Sequence, residues 1–372
     1  MTRLDDLPIR DDLRGKEPYG APMDSVLVPL NVNENPFPVP AAVVRDMLTE
    51  LESVLPTLNR YPDREFLELR EHLADYLGHG LVRDQLWAAN GSNEVLQQLF
   101  LAFAGPGRRV LGFPPSYSMH PELARGSGAD WVEAPRGQDY ELTEQLVVDA
   151  ITEHKPDVVV ICTPNNPTGT ATSNDVILAA HDAFDGMVIV DEAYVEFAEP
   201  GTPSALDLLP GRPRVVVSRT MSKAFAFAGA RLGYFAADAT VVDAVRLVRL
   251  PYHLSAVTQV VAKVALRHAP TMLDEVAVLR AERDRIASCA SELGYRVAPS
   301  EANFVLIHGF AAPRQAFEFF LARDILVRDI GIPTALRVSA GTPEQTDAFL
   351  DALEDYTKSA APVPPSERED TK

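Results

Sequence analysis

The sequence is poor in lysine: only six of its 34 basic residues are lysines, and the other 28 are arginines. Basic charge is itself scarce, with 34 Lys and Arg against 53 Asp and Glu and a net charge of −19. So acidic a chain offers no basic field to nucleic acid or to an anionic membrane, although a local arginine cluster can still hold a small anion. Cysteine is scarcer still. Cys162 and Cys289 are the only two, too few for a disulfide framework or a four-ligand zinc site. The eight histidines form no His-Glu-x-x-His motif and no close pair, so no metal site is expected. No apolar run reaches the roughly 18 residues that a membrane-spanning helix needs. Residues 1–14 alternate charged with isolated apolar residues, unlike a signal peptide. The expectation is a soluble protein of a reducing compartment, the cytoplasm. Its 372 residues, 46% of them hydrophobic, suffice for a large core.

Residues 1–30 read as an N-terminal arm, charged at first and ending in a short apolar run at Val26–Leu30. Asn31–Pro40 is rich in Asn and Pro and reads as a loop. Ala41–Leu55 and Glu65–Leu77 read as helices. A third opens at Asn90-Gly91-Ser92 with Val95, Leu96, Leu99, Phe100 and Phe103 on one face. The middle of the chain is strand–helix alternation. Val110–Phe113, Val158–Cys162, Val188–Val190 and Val215–Ser218 are short apolar runs without alternation, as suits strands covered on both faces. That pattern predicts an α/β fold, with a mostly parallel sheet sandwiched by helices. Met272–Leu293 reads as a long helical spine, and residues 295–356 as a smaller α+β domain. The expected division is an arm at 1–30, part of the small domain at 31–50, a large domain at 51–255, the small C-terminal domain at 256–358 and a disordered tail at 359–372.

In a doubly wound sheet the ligand lies beyond the carboxyl ends of the strands. Three strand ends deliver Asn165-Asn166, then Asp191-Glu192, then Ser222-Lys223; an earlier one delivers Tyr117. Only Lys223 of the six lysines follows a strand, among Ser, Ala, Phe and Gly. Such surroundings desolvate an amine, lower its pKa and suit it to react with a carbonyl. An enzyme of pyridoxal phosphate needs that lysine. It also needs a carboxylate against the ring nitrogen, donors at the ring oxygen, an aromatic on the ring face and a phosphate cup at a helix start. Lys223, Asp191, Asn166 with Tyr194, Tyr117, and Gly91-Ser92-Asn93 with Arg231 supply these in turn.

The strings Asn166-Pro167-Thr168-Gly169, Asp191-Glu192-Ala193-Tyr194 and Ser222-Lys223 with Arg231 eight residues on, in this order, resemble the fold-type-I aminotransferases over residues 15–357. Within that group the chain is similar to the histidinol-phosphate aminotransferases, the actinobacterial form in particular. Further strings that match are Asn31-Val32-Asn33-Glu34-Asn35-Pro36, Arg60-Tyr61-Pro62-Asp63, Asn90-Gly91-Ser92-Asn93-Glu94, Pro115-Ser116-Tyr117-Ser118-Met119-His120 and Val327-Arg328-Asp329-Ile330-Gly331. The resemblance implies ping-pong transamination between glutamate and histidinol phosphate with pyridoxal 5′-phosphate as cofactor. Lys223 would hold the cofactor as a Schiff base and shuttle a proton. Asp191 would pair with the pyridinium, Asn166 and Tyr194 would bond the ring oxygen, and Tyr117 would stack. Ser92, Asn93, Thr220 or Ser222, and Arg231 would hold the cofactor phosphate. Tyr61 would reach the phosphate of the neighbouring subunit, which makes a homodimer the active unit. Arg337 would clamp a carboxylate or the substrate phosphate, Arg328 and Tyr19 would enlarge that anion site, and Asn33 would lie near the substrate.

Each of these residues has a plainer reading. Asp191 could cap its loop, Tyr194 could be core, and Asp63 could serve only as a helix N-cap. Arg328 and Arg337 could pair with nearby carboxylates, and His120 and His253 read as structural histidines. The rival functions are an aromatic aminotransferase acting on phenylpyruvate, a decarboxylase on the same fold, and a non-catalytic cofactor-binding regulator. A regulator would carry a basic DNA-binding segment, and residues 1–30 are too short and too acidic for one.

Overall fold

The computed structural model describes residues 6–15, 20 and 25–363; Tyr19 and residues 364–372 lie outside them. Twelve strands occur among the described residues: β1 Val28–Pro29, β2 Leu86–Ala89, β3 Arg109–Gly112, β4 Asp130–Glu133, β5 Val158–Cys162, β6 Met187–Asp191, β7 Val215–Thr220, β8 Gly233–Ala237, β9 Arg296–Val297, β10 Phe304–His308, β11 Ile325–Leu326 and β12 Ala335–Ser339. Seven of them form the main sheet in the order β2-β8-β7-β6-β5-β3-β4. All its pairings are parallel except those of β8, which is antiparallel to both neighbours. Every residue of β5, β7 and β8 is buried, which explains why these strands lack alternation. The Gly233 end of β8 lies against the start of helix Ser92–Phe103. A Cβ on Gly233 would stand 2.2 Å from the Ser92 nitrogen, so only glycine permits this approach.

The smaller layer pairs β12-β10-β9 antiparallel and β1-β11 parallel. Two large hydrophobic clusters, one beneath each sheet system, and a small third one of Tyr140, Ala298, Leu306 and Ala335 fill the described residues, and the two large ones do not divide at the expected boundaries. Val43 and Met47 of helix Ala41–Val54 belong to the larger cluster, so residues 41–50 pack with the large domain rather than the small. Ala262, Val264 and Leu266 of helix Ala256–Arg267 belong there too, beyond the expected break at 255. The packing changes over inside the spine, helix Val276–Glu292, although Ala302, Phe304 and Ala340 beyond it also join the large cluster. Val276 and Leu279 enter the large cluster, and Ile286 and Ala290 the small one. The end of the arm is also structural: Val28 pairs with Ile325, and Leu30 is buried in the small cluster. At the other end, the last helix runs to Ser359 and the Val363 N–H bonds the Gly309 carbonyl, so residues 359–363 are ordered against the small domain. Among the described residues no helix is long and apolar enough to cross a membrane.

Several helices begin at a side-chain cap. Thr143 accepts from the Leu146 amide, Ser255 from the Thr258 amide, and Thr342 forms a capping box with Gln345. Helix Ser92–Phe103 begins instead at Gly91, φ 83°, with no capping side chain. Its first amides have no intrahelical acceptor and face a cavity.

Candidate active site

The cavity, about 470 Å³, opens at the carboxyl ends of the parallel strands, between the two layers. Register aligns its floor. Cys162 at the end of β5 sits opposite Asp191 at the end of β6, which sits opposite Ser218 of β7. The loops leaving these strands bring Asn166, Tyr194, Ser222 and Lys223 to one place, and the Ser92 helix start closes the far side.

Lys223 is half-buried and its Nζ donates to the Val32 carbonyl at 2.9 Å. Burial, together with the Arg337 guanidinium, lowers its pKa to about 8. Asp191 is 2% exposed. One carboxylate oxygen, Oδ2, faces His120 Nε2 at 3.0 Å, while Oδ1 is buried without a hydrogen-bond partner. An unsatisfied buried acceptor costs about 1–3 kcal/mol, so the site is poised for an N–H that the chain itself does not supply. The Tyr194 hydroxyl oxygen receives Asn33 Nδ2 at 3.0 Å and Asn166 Nδ2 at 3.4 Å. Burial pushes its pKa up to about 12, so the phenol keeps its proton. Tyr117 donates to Asn93 Oδ1 at 3.1 Å and meets His120 edge-on.

At the helix start the Arg231 guanidinium crosses over Gly91. Gly91 has φ 83°, which a side chain would strain, and a Cβ there would lie 2.6 Å from Arg231 Nη2 and push the guanidinium aside. Thr220 Oγ1 accepts from the Ser222 amide and donates toward the Leu232 carbonyl and Ser222 Oγ. On the opposite wall, Arg337 donates to Asn166 Oδ1 at 2.6 Å and to the Asn31 carbonyl at 2.7 Å. Arg328 bridges Arg337 backbone to backbone, and both side chains line the cavity.

Residues 25–353 match the family model described as aminotransferase class I and II. The chain belongs to the class I and II aminotransferases. Its relatives include the histidinol-phosphate aminotransferase of Paenarthrobacter aurescens, 53% identical over 365 residues, covering 97% of this chain and 98% of that one. The enzyme of the same name from Thermobifida fusca is 53% identical over 350 residues, covering 94% and 95%. The fold is similar to histidinol-phosphate aminotransferase from Sinorhizobium meliloti in complex with pyridoxal-5′-phosphate, with a TM-score of 0.82, 23% identity and coverage of 90% and 92%. It is also similar to aspartate aminotransferase from Thermus thermophilus with maleate, with a TM-score of 0.76, 24% identity and coverage of 89% and 91%.

For an aminotransferase the cavity's features are chemically coherent. The unpartnered Asp191 Oδ1, the uncapped helix start under Arg231 and the lysine of lowered pKa fit a phosphorylated pyridine aldehyde such as pyridoxal phosphate. Ser92, Asn93, Tyr117, Asn166, Asp191, Tyr194, Thr220, Ser222, Lys223, Arg231, Asn33, Arg328 and Arg337 all line it. Tyr61 does not: it is 80% exposed and stacks on Tyr252, ring centroids 4.4 Å apart. Nearby, Asp63 accepts from the Glu65 and Leu67 amides and so braces the turn ahead of the helix beginning at Leu67, whose N-cap position is Phe66. Sequence reasoning missed two contributors. His120 reads as structural, yet it touches Asp191 from the helix three residues after Tyr117. Arg219 was given no role. It clasps Glu192 through Nε and Nη2 at 3.0 and 2.8 Å, and so fixes the loop immediately after Asp191. The signal for each is its place in a string that matches the family: His120 closes Pro115–His120, and Arg219 opens Arg219-Thr220-Met221-Ser222-Lys223.

Proposed function

We propose that this aminotransferase interconverts L-histidinol phosphate plus 2-oxoglutarate with 3-(imidazol-4-yl)-2-oxopropyl phosphate plus L-glutamate, a step of L-histidine biosynthesis. Pyridoxal 5′-phosphate is the cofactor in this reading. The observation that carries it is a pair of arginines on one cavity wall, in a chain 53% identical to histidinol-phosphate aminotransferases over nearly its full length.

When bound, the cofactor supplies an electron sink for negative charge developing at the substrate's reacting carbon. Asp191 Oδ1 would accept a hydrogen bond from the ring N–H, and its charge would hold that proton on the ring and keep the ring cationic. Tyr194 and Asn166 would donate to the ring oxygen, and Tyr117 would cover one face. The Ser92 and Asn93 amides and Arg231 would hold the phosphate. The Thr220 proton is spent on acceptors within the chain, which leaves the Ser222 hydroxyl as the better phosphate donor of the two. Lys223 Nζ is the amine that would hold the cofactor aldehyde and, once the substrate amine has displaced it, would be the base that holds the proton moved at the reacting carbon. A pKa near 8 leaves an appreciable neutral fraction at physiological pH, as both tasks need.

Arg337 takes the α-carboxylate of glutamate, or the phosphate of histidinol phosphate in its turn. Arg328 meets the additional charge of that phosphate, assisted by Tyr19, and Asn33 lies beside the substrate. Tyr61 projects from the subunit surface and serves the partner's cofactor phosphate in a cytoplasmic homodimer; its exposure supports that placement. A coupled assay with glutamate and a panel of keto substrates tests the proposal. Turnover should be fastest with the phosphorylated imidazole ketone. Faster turnover with phenylpyruvate would make the protein an aromatic aminotransferase instead.

A further inference from the structure

Tyr194 receives two amide donors, and each amide is oriented by a different residue of one strand. β12 places Arg337 and Ser339 two positions apart, hence on the same face. Arg337 donates to Asn166 Oδ1, so Asn166 must turn its NH₂ toward Tyr194. The Ser339 hydroxyl donates to Asn33 Oδ1 at 2.9 Å, so Asn33 turns its NH₂ the same way. Ser339 Oγ also accepts the Asn33 amide N–H at 3.0 Å, closing a reciprocal pair. Asn33 needs this hold. Its φ is 56°, a left-handed conformation, and its carbonyl is fixed separately by Asn303 Nδ2 at 3.1 Å. Asn33, Ser339 and Asn303 are all almost fully buried, so water cannot replace these bonds cheaply.

We propose that Ser339 is a positioning residue of the cofactor site: through Asn33 it holds Tyr194 as a hydrogen-bond donor aimed into the cavity. With both amides donating to its oxygen, Tyr194 has its own proton left to give. In the absence of the Ser339 hydroxyl, the Asn33 amide is free to flip, present Oδ1 to Tyr194 and draw that proton away from the cavity. The inference rests on the proposal that pyridoxal phosphate binds with its ring oxygen at Tyr194.

The test is a pH titration of the visible absorption band of cofactor-loaded wild type, Ser339→Ala and Ser339→Thr. A donor to the ring oxygen favours its anionic form and lowers the midpoint of the spectral change. Ser339→Ala should therefore raise the midpoint by about half to one pH unit, and weaken cofactor binding to the apoprotein about 3- to 10-fold. Ser339→Thr keeps the hydroxyl and should return both toward wild type. Should Ser339→Ala not accumulate as folded protein, Asn33→Ser breaks the next link and must give the same upward shift. An unchanged midpoint in Ser339→Ala overturns the inference, as does an equal shift in Ser339→Thr, which would trace the effect to side-chain volume. Failure of wild type to bind cofactor or show a visible band would instead overturn the underlying proposal.

Discussion

Removal of the Arg328 guanidinium should separate phosphorylated from unphosphorylated substrates. Arg328 and Arg337 face each other across an antiparallel bridge, with backbone N–O distances of 3.0 and 2.9 Å. Directly opposed residues project to the same side of a sheet, and like charges so placed repel unless an anion lies between them. Arg337 is already tied to Asn166 and Asn31, which fixes its direction. Arg328 is half-buried, lines the cavity and forms no ion pair with a described residue; its neighbour Asp329 bonds the Gly331 amide instead. A monoanionic carboxylate needs one of the two arginines, whereas a phosphate dianion draws on both. A charge-assisted hydrogen bond is worth roughly 1.5–3 kcal/mol, or about 10- to 150-fold in kcat/KM. Arg328→Ala should depress the histidinol phosphate half-reaction by that factor and leave the phenylalanine half-reaction nearly unchanged. Stopped-flow measurement of each half-reaction at matched pH supplies the comparison. Glutamate is a poorer control, because its second carboxylate can also engage Arg328. Equal losses with both amino donors would refute the reasoning and make Arg328 a general or structural cation.

Asp191→Asn should fold and bind cofactor yet lose most turnover, chiefly in kcat, because a neutral amide cannot hold the ring nitrogen protonated; near-normal turnover in the loaded variant contradicts this. In the apoprotein, Lys223 should react with an amine-directed reagent with a midpoint near pH 8. The neutral fraction rises with pH, so labelling should be slow below that midpoint and level off above it; a midpoint near the usual 10.5 would show that burial does not depress the amine. Borohydride reduction of loaded protein and subsequent peptide mapping should place the label on Lys223, and a label on Lys155 or Lys263 excludes the assignment. Mixing Tyr61→Ala with Lys223→Ala subunits under exchange conditions should restore activity, since one heterodimer site is then intact. No recovery, with subunit exchange verified, contradicts shared sites.

Much of the site was legible because its residues lie just beyond strand ends. The runs ending at Cys162, Val190 and Ser218 read as buried strands without any tertiary information, and the segment leaving each strand reaches the cavity. β2, Leu-Trp-Ala-Ala, and β8, Gly-Tyr-Phe-Ala-Ala, were not foreseen. Both are short and alanine-containing, and only their pairing with each other and with β7 makes them strands. The packing of two helices is hidden from the sequence for a related reason. Helices Ala41–Val54 and Ala256–Arg267 are far apart in sequence and share the large core, and no local pattern records that contact. The Asn33–Ser339 pair spans 306 residues and depends on a left-handed backbone at an asparagine, which the spacing of residues cannot reveal.

The central claim is that the cavity is built for an amino donor carrying a phosphate. The most direct measurement is the half-reaction of cofactor-loaded enzyme with L-histidinol phosphate, set against L-histidinol and L-phenylalanine under the same conditions and monitored by loss of the visible band. Two arginine contacts to the phosphate predict a kcat/KM at least about 100-fold higher for L-histidinol phosphate than for L-histidinol. L-phenylalanine should also fall below the phosphorylated donor. Equal rates for the phosphorylated and unphosphorylated alcohols, or a preference for L-phenylalanine, would contradict the account.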